Sequence, residues 1–189
     1  MTSSNDDEYD ATSSSEDPTR PAWKAFDGDI HTIWEPTAVE IPEFDGQKGV
    51  WLKLELPYKV KVEYLKIIGG FTSLQDPTEG YTNTDSPKTA RLLASNDDIV
   101  WVVLKDTFTL TYYQPAASTA KDTVNAENGY KYIVFQVIST MGGTGGTQIY
   151  DLRYFGQREF EPPPSSPLPL PPPPHPPHSP PPPTPPPSS

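Results

Sequence analysis

Residues 51 to 56 read WLKLEL, with Leu52, Leu54 and Leu56 on one side of an extended chain and Lys53 and Glu55 on the other. A period of two is the mark of a half-buried β-strand. Segments of similar length, rich in β-branched and aromatic side chains, recur as VKVEYLKII (60–68), TARLLAS (89–95), VWVVLK (100–105), YKYIVFQVI (130–138) and IYDLRYFG (149–156). Turn formers separate them: Pro57, the Gly69-Gly70 pair, Ser86-Pro87, SNDD from 95, ENG from 127 and GGTGG from 142. Pro57 is expected to end the first strand. YKYIVFQVI is apolar on both parities, which suits a strand central to its sheet. No stretch of about twelve residues carries a convincing 3.6-residue period, so the chain is predicted to be all-β and built as a sandwich.

Composition sets the limits of that sandwich. Residues 1–19 are dominated by Ser, Thr, Asn, Asp and Glu, with little to bury, and are expected to form a disordered acidic segment. Residues 162–189 hold 18 of the 26 prolines and are expected to form a polyproline II tail, rising ~3.1 Å per residue. Between them, 20–161 is the length of one domain. The tail reads as a spacer, a tether or a peptide ligand for an aromatic-lined groove.

Charge excludes several classes of function. The 14 Lys and Arg all fall at or after Arg20 and are outnumbered by 25 Asp and Glu, for a net charge of −11. A basic stripe that could displace counterions from nucleic acid is missing, and so is a polybasic cluster for an anionic membrane. Neither nucleic-acid binding nor membrane insertion is expected. With no cysteine, disulfides, thiolate catalysis and Cys-based zinc sites are ruled out. The first residues, MTSSNDDEYD, show neither the basic nor the apolar region of a signal peptide, so synthesis in the cytosol is the simplest expectation.

Two features invite a chemical reading. AFDGDIHTIW (25–34) places Asp27 and Asp29 around a glycine, followed by Thr32. It is either an ordinary polar turn or the cradle of a cation. The second feature is a pair of long connections, 71–87 and 111–128, of a length that is often functional in a compact domain.

In order and spacing, AFDGDIHTIW, WLKLELP, VEYLKIIG, SPKTARLLASNDDIVW, YKYIVFQV and IYDLRYFG resemble the successive signatures of a discoidin domain. This coagulation-factor type C domain belongs to the galactose-binding-like superfamily, and the resemblance covers about residues 22–157. It implies an eight-stranded jelly-roll β-sandwich with chain ends close together and binding loops at one end. Members of the family are mostly noncatalytic adhesion modules for glycans, lipid headgroups or proteins, and many carry a structural calcium. The positions matching the calcium site are Asp27, Asp29, Thr32 and Asp151. Calcium takes six to eight hard oxygen ligands, which such a turn supplies, and Gly28 lets its backbone bend. The family usually has Glu where this chain has Asp151, and Gly where it has Asp98.

Trp34, Trp51 and Trp101 match apolar positions of the family and are expected in the core. Trp23, Phe71, Tyr81, Tyr112 and Tyr113 are the candidates for stacking on a sugar, with His31, Lys88 and Arg91 as hydrogen-bonding neighbours. No loop shows a clear cluster of apolar spikes like those of lipid-binding members. His31 is the one histidine of the 20–161 segment, no G-x-S-x-G elbow accompanies it, and MGGTGGTQ lacks the Lys-Ser/Thr of a phosphate loop. An enzyme is therefore not expected. The leading expectation is a carbohydrate-binding module with a glycan or glycoprotein surface as partner. The alternative is a structural protein of an assembly, because a short acidic N-terminus, one such domain and a proline tail resemble virion surface or minor capsid proteins of large algal DNA viruses.

Overall fold

The structure is a computed structural model that describes residues 9–37, 41–69, 85–110, 112–113, 119–142 and 146–159. Its strands are β1 Asp10–Ser13, β2 Glu43–Phe44, β3 Gln47–Lys48, β4 Val50–Gly69, β5 Pro87–Ser95, β6 Val102–Thr109, β7 Tyr112–Tyr113, β8 Thr119–Thr123, β9 Tyr130–Thr140 and β10 Ile149–Arg158. Apart from a 3-10 turn at Ala22–Ala25, the described residues contain strands and loops only. Among them no helix is long and apolar enough to cross a membrane.

β4 organises the fold. Its first half pairs with β9, from Val50↔Val137 to Glu55↔Tyr132, and with β1 on its other side. Its second half pairs with β10, from Val60↔Arg158 to Gly69↔Ile149, and with β8. One 20-residue strand therefore serves both layers of the sandwich, β6-β5-β9-β4-β1 and β10-β4-β8-β7. Contrary to the expectation from sequence, Pro57 does not end the strand. It falls where the β9 register shifts, between Glu55 and Val60, so its missing N–H interrupts no ladder bond and the chain bends there from one layer to the other.

The alternation read from WLKLEL is realised, with Leu52, Leu54 and Leu56 all buried. They meet Leu92, Ile133 and Phe135 from the same layer and Val62, Leu65, Ile67 and Leu152 from the other. Each such side chain stabilises the fold by roughly 1.5–3 kcal/mol relative to exposure. Trp34 joins this core and is fully buried, as expected. Trp51 and Trp101 do not. Both are half-buried, and Phe44 packs between them with ring centroids 5.3 Å and 5.0 Å away. Leu93 and Val134, paired across β5 and β9, are buried on the face opposite the core, so this sheet is covered on both sides.

The N-terminal boundary at residue 20 is corrected. β1 lies within the segment expected to be disordered, because backbone pairing of Asp10–Ser13 with Leu52–Glu55 needs no apolar side chains. Ser14 reinforces the attachment: its N–H donates to the Trp51 carbonyl at 3.0 Å, and its hydroxyl oxygen accepts the Trp51 N–H at 3.1 Å. Ala11 and Tyr9 pack on the core. Residues 1–8 and the expected tail, 162–189, lie outside the described residues.

The pairing also sorts the loops. Gly69↔Ile149, Pro87↔Thr140 and Ile68↔Thr119 bring the connections after β4, β7 and β9 to one end of the sandwich. The described chain ends meet near the opposite end, since β1 begins at Glu55 and β10 finishes at Val60.

Candidate functional site

At the loop end, Trp34 and Ile149 exchange both backbone hydrogen bonds, at 2.9 and 3.1 Å, and tie the segment after the acidic turn to the start of β10. Beside this bridge Glu35 forms an ion pair with Arg20 and accepts the Gln148 side-chain amide at 3.3 Å. The Gln148 N–H donates to the Asp85 carbonyl and the Met141 N–H to the Ser86 carbonyl, both at 2.9 Å. The bases of the β4–β5 and β9–β10 connections are thus laced together. Lys88 stands exposed beside them, one residue into β5.

The acidic turn is a closed hydrogen-bonded unit. Asp27 accepts the Asp29 N–H through Oδ1 at 2.8 Å and the Thr32 hydroxyl through Oδ2 at 2.6 Å. Gly28, at φ +76, occupies the left-handed region that side chains with a Cβ resist. The Asp29 carboxylate turns outward to the backbone N–H and ring Nδ1 of His31, both at 2.9 Å. That backbone bond, and then the ring, hold the Asp29 carboxyl below the ordinary carboxylate range. Inside the turn, the Thr32 hydroxyl lies 3.0 Å from the Asp29 carbonyl oxygen and 3.4 Å from that of Lys24.

Asp151 lies across from this turn on β10, with 1% of its surface exposed. Its Oδ2 forms an ion pair with Arg153 Nε at 2.6 Å, while Oδ1 has no hydrogen-bond partner among the described residues. Arg153 reaches back to donate from Nη2 to the Gly28 carbonyl at 3.4 Å, so a guanidinium links closing strand and acidic turn. Sequence reasoning missed Arg153. The available signal was the spacing of Asp151 and Arg153, two apart and hence on one face of a strand. Burial raises the Asp151 pKa, Arg153 and Lys66 oppose the rise, and Asp27 adds to it.

For a carboxyl whose folded pKa is raised, the native state holds a proton that the unfolded state has released. Its contribution is then complete below the unfolded value of 3.8 and declines as pH rises through the folded value. In chelator, wild-type stability measured against Asp151→Asn should fall with rising pH across that window. A difference that stays flat would refute the burial.

The expected calcium ligands are therefore only partly gathered. Asp27 Oδ2 and Thr32 Oγ1 converge with the carbonyl oxygens of Lys24 and Asp29, an all-oxygen set that suits a hard cation. Asp29 would join through its carbonyl oxygen, since His31 occupies its carboxylate. Asp151 brings an unpartnered buried oxygen and an arginine. No three Asp, Glu, His or Cys side chains form a metal-binding group among the described residues.

The expected sugar contacts are scattered. Trp23 is half-exposed in the 3-10 turn, and His31 is exposed at the acidic turn. Arg91 lies elsewhere, on the outer face of the first layer. Its guanidinium bonds Asp45 Oδ2 at 3.1 Å and the Asp45 carbonyl at 3.3 Å, pinning the β2–β3 hairpin to β5. Phe71 and Tyr81 lie outside the described residues, as do the side chains of Tyr112 and Tyr113, whose backbone forms β7. Asp98, where the resemblance led to an expectation of glycine, adopts φ +60 in the left-handed region.

Solved structures share this architecture. A family 32 carbohydrate-binding module from Clostridium perfringens NanJ, in complex with galactose, superposes with a TM-score of 0.57 at 20% identity, covering 77% of this chain and 92% of that one. CpGH89CBM32-5 from the same organism, in complex with GalNAc-β-1,3-galactose, gives 0.57 at 18% identity over 78% and 95%. The F5/8 type C domain of a Bacteroides fragilis protein gives 0.58 at 13% over 80% and 93%. The chain has the discoidin, or F5/8 type C, fold. No family model and no curated protein matches its sequence. At these identities the discoidin fold is what the likeness establishes, and the eight strands of the main sheet agree with the jelly-roll expectation.

Proposed function

We propose that this discoidin-fold chain is a noncatalytic carbohydrate-binding module that takes a galactose-type sugar at the loop end. The observation that carries the proposal is the gathering of the connections after β4, β7 and β9 at one end of the sandwich, beside the exposed Lys88. Solved modules of this fold hold galactose and GalNAc-β-1,3-galactose, which supports the choice of sugar. The aromatic residues that the sequence places in or beside these connections, Phe71, Tyr81, Tyr112 and Tyr113, suit a ligand that offers C–H groups on its face.

Calorimetric titration of the full chain with galactose is expected to saturate at one site. Lys88→Ala and Tyr81→Ala should each weaken binding by about tenfold, equivalent to ~1.4 kcal/mol. Selective binding of another sugar on a glycan array would move the specificity, whereas silence across the whole array would sink the reading.

A structural calcium belongs to the same proposal. Asp27, Thr32 and the carbonyls of Lys24 and Asp29 would hold it, and Asp151 would complete the set by giving up part of its pairing with Arg153. The ion would supply charge that fixes the turn against β10 and no chemistry of its own. At 100 times its dissociation constant, calcium should stabilise the fold by about 2.7 kcal/mol. Identical melting curves in calcium and in chelator would show that the turn needs no ion.

A further inference from the structure

Residues 99–103 read IVWVV, a run of five apolar residues at the tip of the β5–β6 hairpin. Ile99 is 80% exposed and Val100 65%, and Val102 and Val103 are also exposed. The tip is firmly built: Asp97 Oδ1 accepts the N–H of Ile99 at 3.0 Å and of Val100 at 2.9 Å, and Ser95 Oγ accepts those of Asp97 and Asp98. The turn thus holds Ile99 and Val100 in water, and Val103, paired with Leu93, adds to them on the outer face of the sheet, while Val102, paired with Ala94, points to the other face. This apolar tip is contrary to the expectation that no loop carries such a cluster. Behind them stand the half-buried rings of Trp101, Phe44 and Trp51.

We propose that this surface is the docking site of the chain's own proline-rich tail, with PLPLPPPP (167–174) lying across the hairpin tip and the adjoining aromatic rings. The chain leaves the fold beside it. The Glu159 N–H donates to the Lys59 carbonyl at 2.9 Å, and the Glu159 side chain packs so closely on Gly129 that a Cβ there would come within 2.4 Å of it. The Gly129 carbonyl in turn accepts the side-chain amide of Asn96, three residues before Ile99, at 3.3 Å. From that exit the eight residues to Pro167 span ~25 Å when extended.

Chemistry selects the tail over other occupants. Asp97 and Asp98 flank the patch and Asp45 lies on the same face as its rings. Lys53 pairs with Asp98 at 2.7 Å and Arg91 with Asp45 at 3.1 Å, so the patch suits an uncharged apolar segment, whereas an anionic membrane would be repelled by a chain of net charge −11. Beyond Glu161 the tail has no Asp, Glu, Lys or Arg, and its prolines and two leucines offer a pre-extended apolar ridge of the kind aromatic-lined grooves recognise.

The test uses the full chain, which has no cysteine of its own, with a nitroxide attached through Ser166→Cys. In the oxidised form the amide signals of Ile99–Val103 and the indole N–H signals of Trp51 and Trp101 are expected to lose more than half their intensity relative to the reduced form. A tethered tail that samples space freely also broadens whatever lies near its exit, so the double variant Ile99→Asp, Val103→Asp supplies the decisive comparison. Both positions are exposed and should leave the fold intact, as unchanged signals from the core will report. Recovery of intensity in that variant supports docking. Equal broadening with and without the aspartates overturns it, as does broadening centred on any other face. A mixed sample, with spin label and isotope on different copies, must show no effect, since broadening there would assign the occupant to a neighbouring chain.

Discussion

Trp34→Ala is expected to destabilise the fold by about 3–5 kcal/mol, the range for removing a fully buried large aromatic side chain. In a domain of this size that lowers the melting temperature by on the order of 10 °C. The indole has no exposed surface, and it belongs to the same core cluster as Leu52, Phe135 and Leu152. Its backbone also carries the two hydrogen bonds that fasten the segment after the acidic turn to Ile149. The cavity left by alanine would loosen that attachment, so galactose affinity should decline together with stability. Urea unfolding of both proteins would measure the difference. A loss below about 1 kcal/mol would mean that Trp34 is not part of the core.

Gly156→Val should be nearly as damaging, for a different reason. A Cβ at Gly156 would lie 2.0 Å from the Lys61 carbonyl oxygen and 2.8 Å from its carbonyl carbon. Both atoms belong to the strand that β10 pairs with, so no rotamer change relieves the overlap. Gly156 also sits where the β10 register shifts, opposite Val62. The second half of β10 would have to lift from β4, at a cost of about 3 kcal/mol, the upper part of the usual range for overpacking. Gly146→Ala is the control. Its added methyl meets nothing nearer than Glu35 Oε1 at 3.9 Å, and its effect should stay within about 0.5 kcal/mol. Thermal melts of the two variants settle the comparison, and equal effects would contradict the close approach of the strands.

Strand positions were legible because alternation is local. Leu52, Leu54 and Leu56 announce a buried face within six residues, and YKYIVFQVI reads as central because both of its faces are apolar. The bend at Pro57 was not legible. Whether a proline ends a strand or sits harmlessly in it depends on whether a neighbour needs its N–H, and that neighbour, β9, lies more than 70 residues away. β1 escaped for a similar reason, since its side chains carry no apolar pattern and its pairing is made by the backbone. The sequence placed Asp27, Asp29 and Thr32 in one acidic turn, where Asp27 bonds Thr32 and the Asp29 carboxylate turns to His31. Spacing cannot reveal that His31 draws the carboxylate outward.

By itself the sequence determined an all-β sandwich, the order of its longer apolar strands and the alternation that buries Leu52, Leu54 and Leu56, because hydrophobic periodicity and turn chemistry act over a few residues and leave their mark in the letters. Tertiary structure alone decided that β4 belongs to both layers, that the long connections share one end, and that Arg153 stands between Asp151 and the acidic turn. It also decided that the aliphatic run at 99–103 faces water. Each of these depends on partners distant in the chain, and no local pattern records which strand will lie beside which.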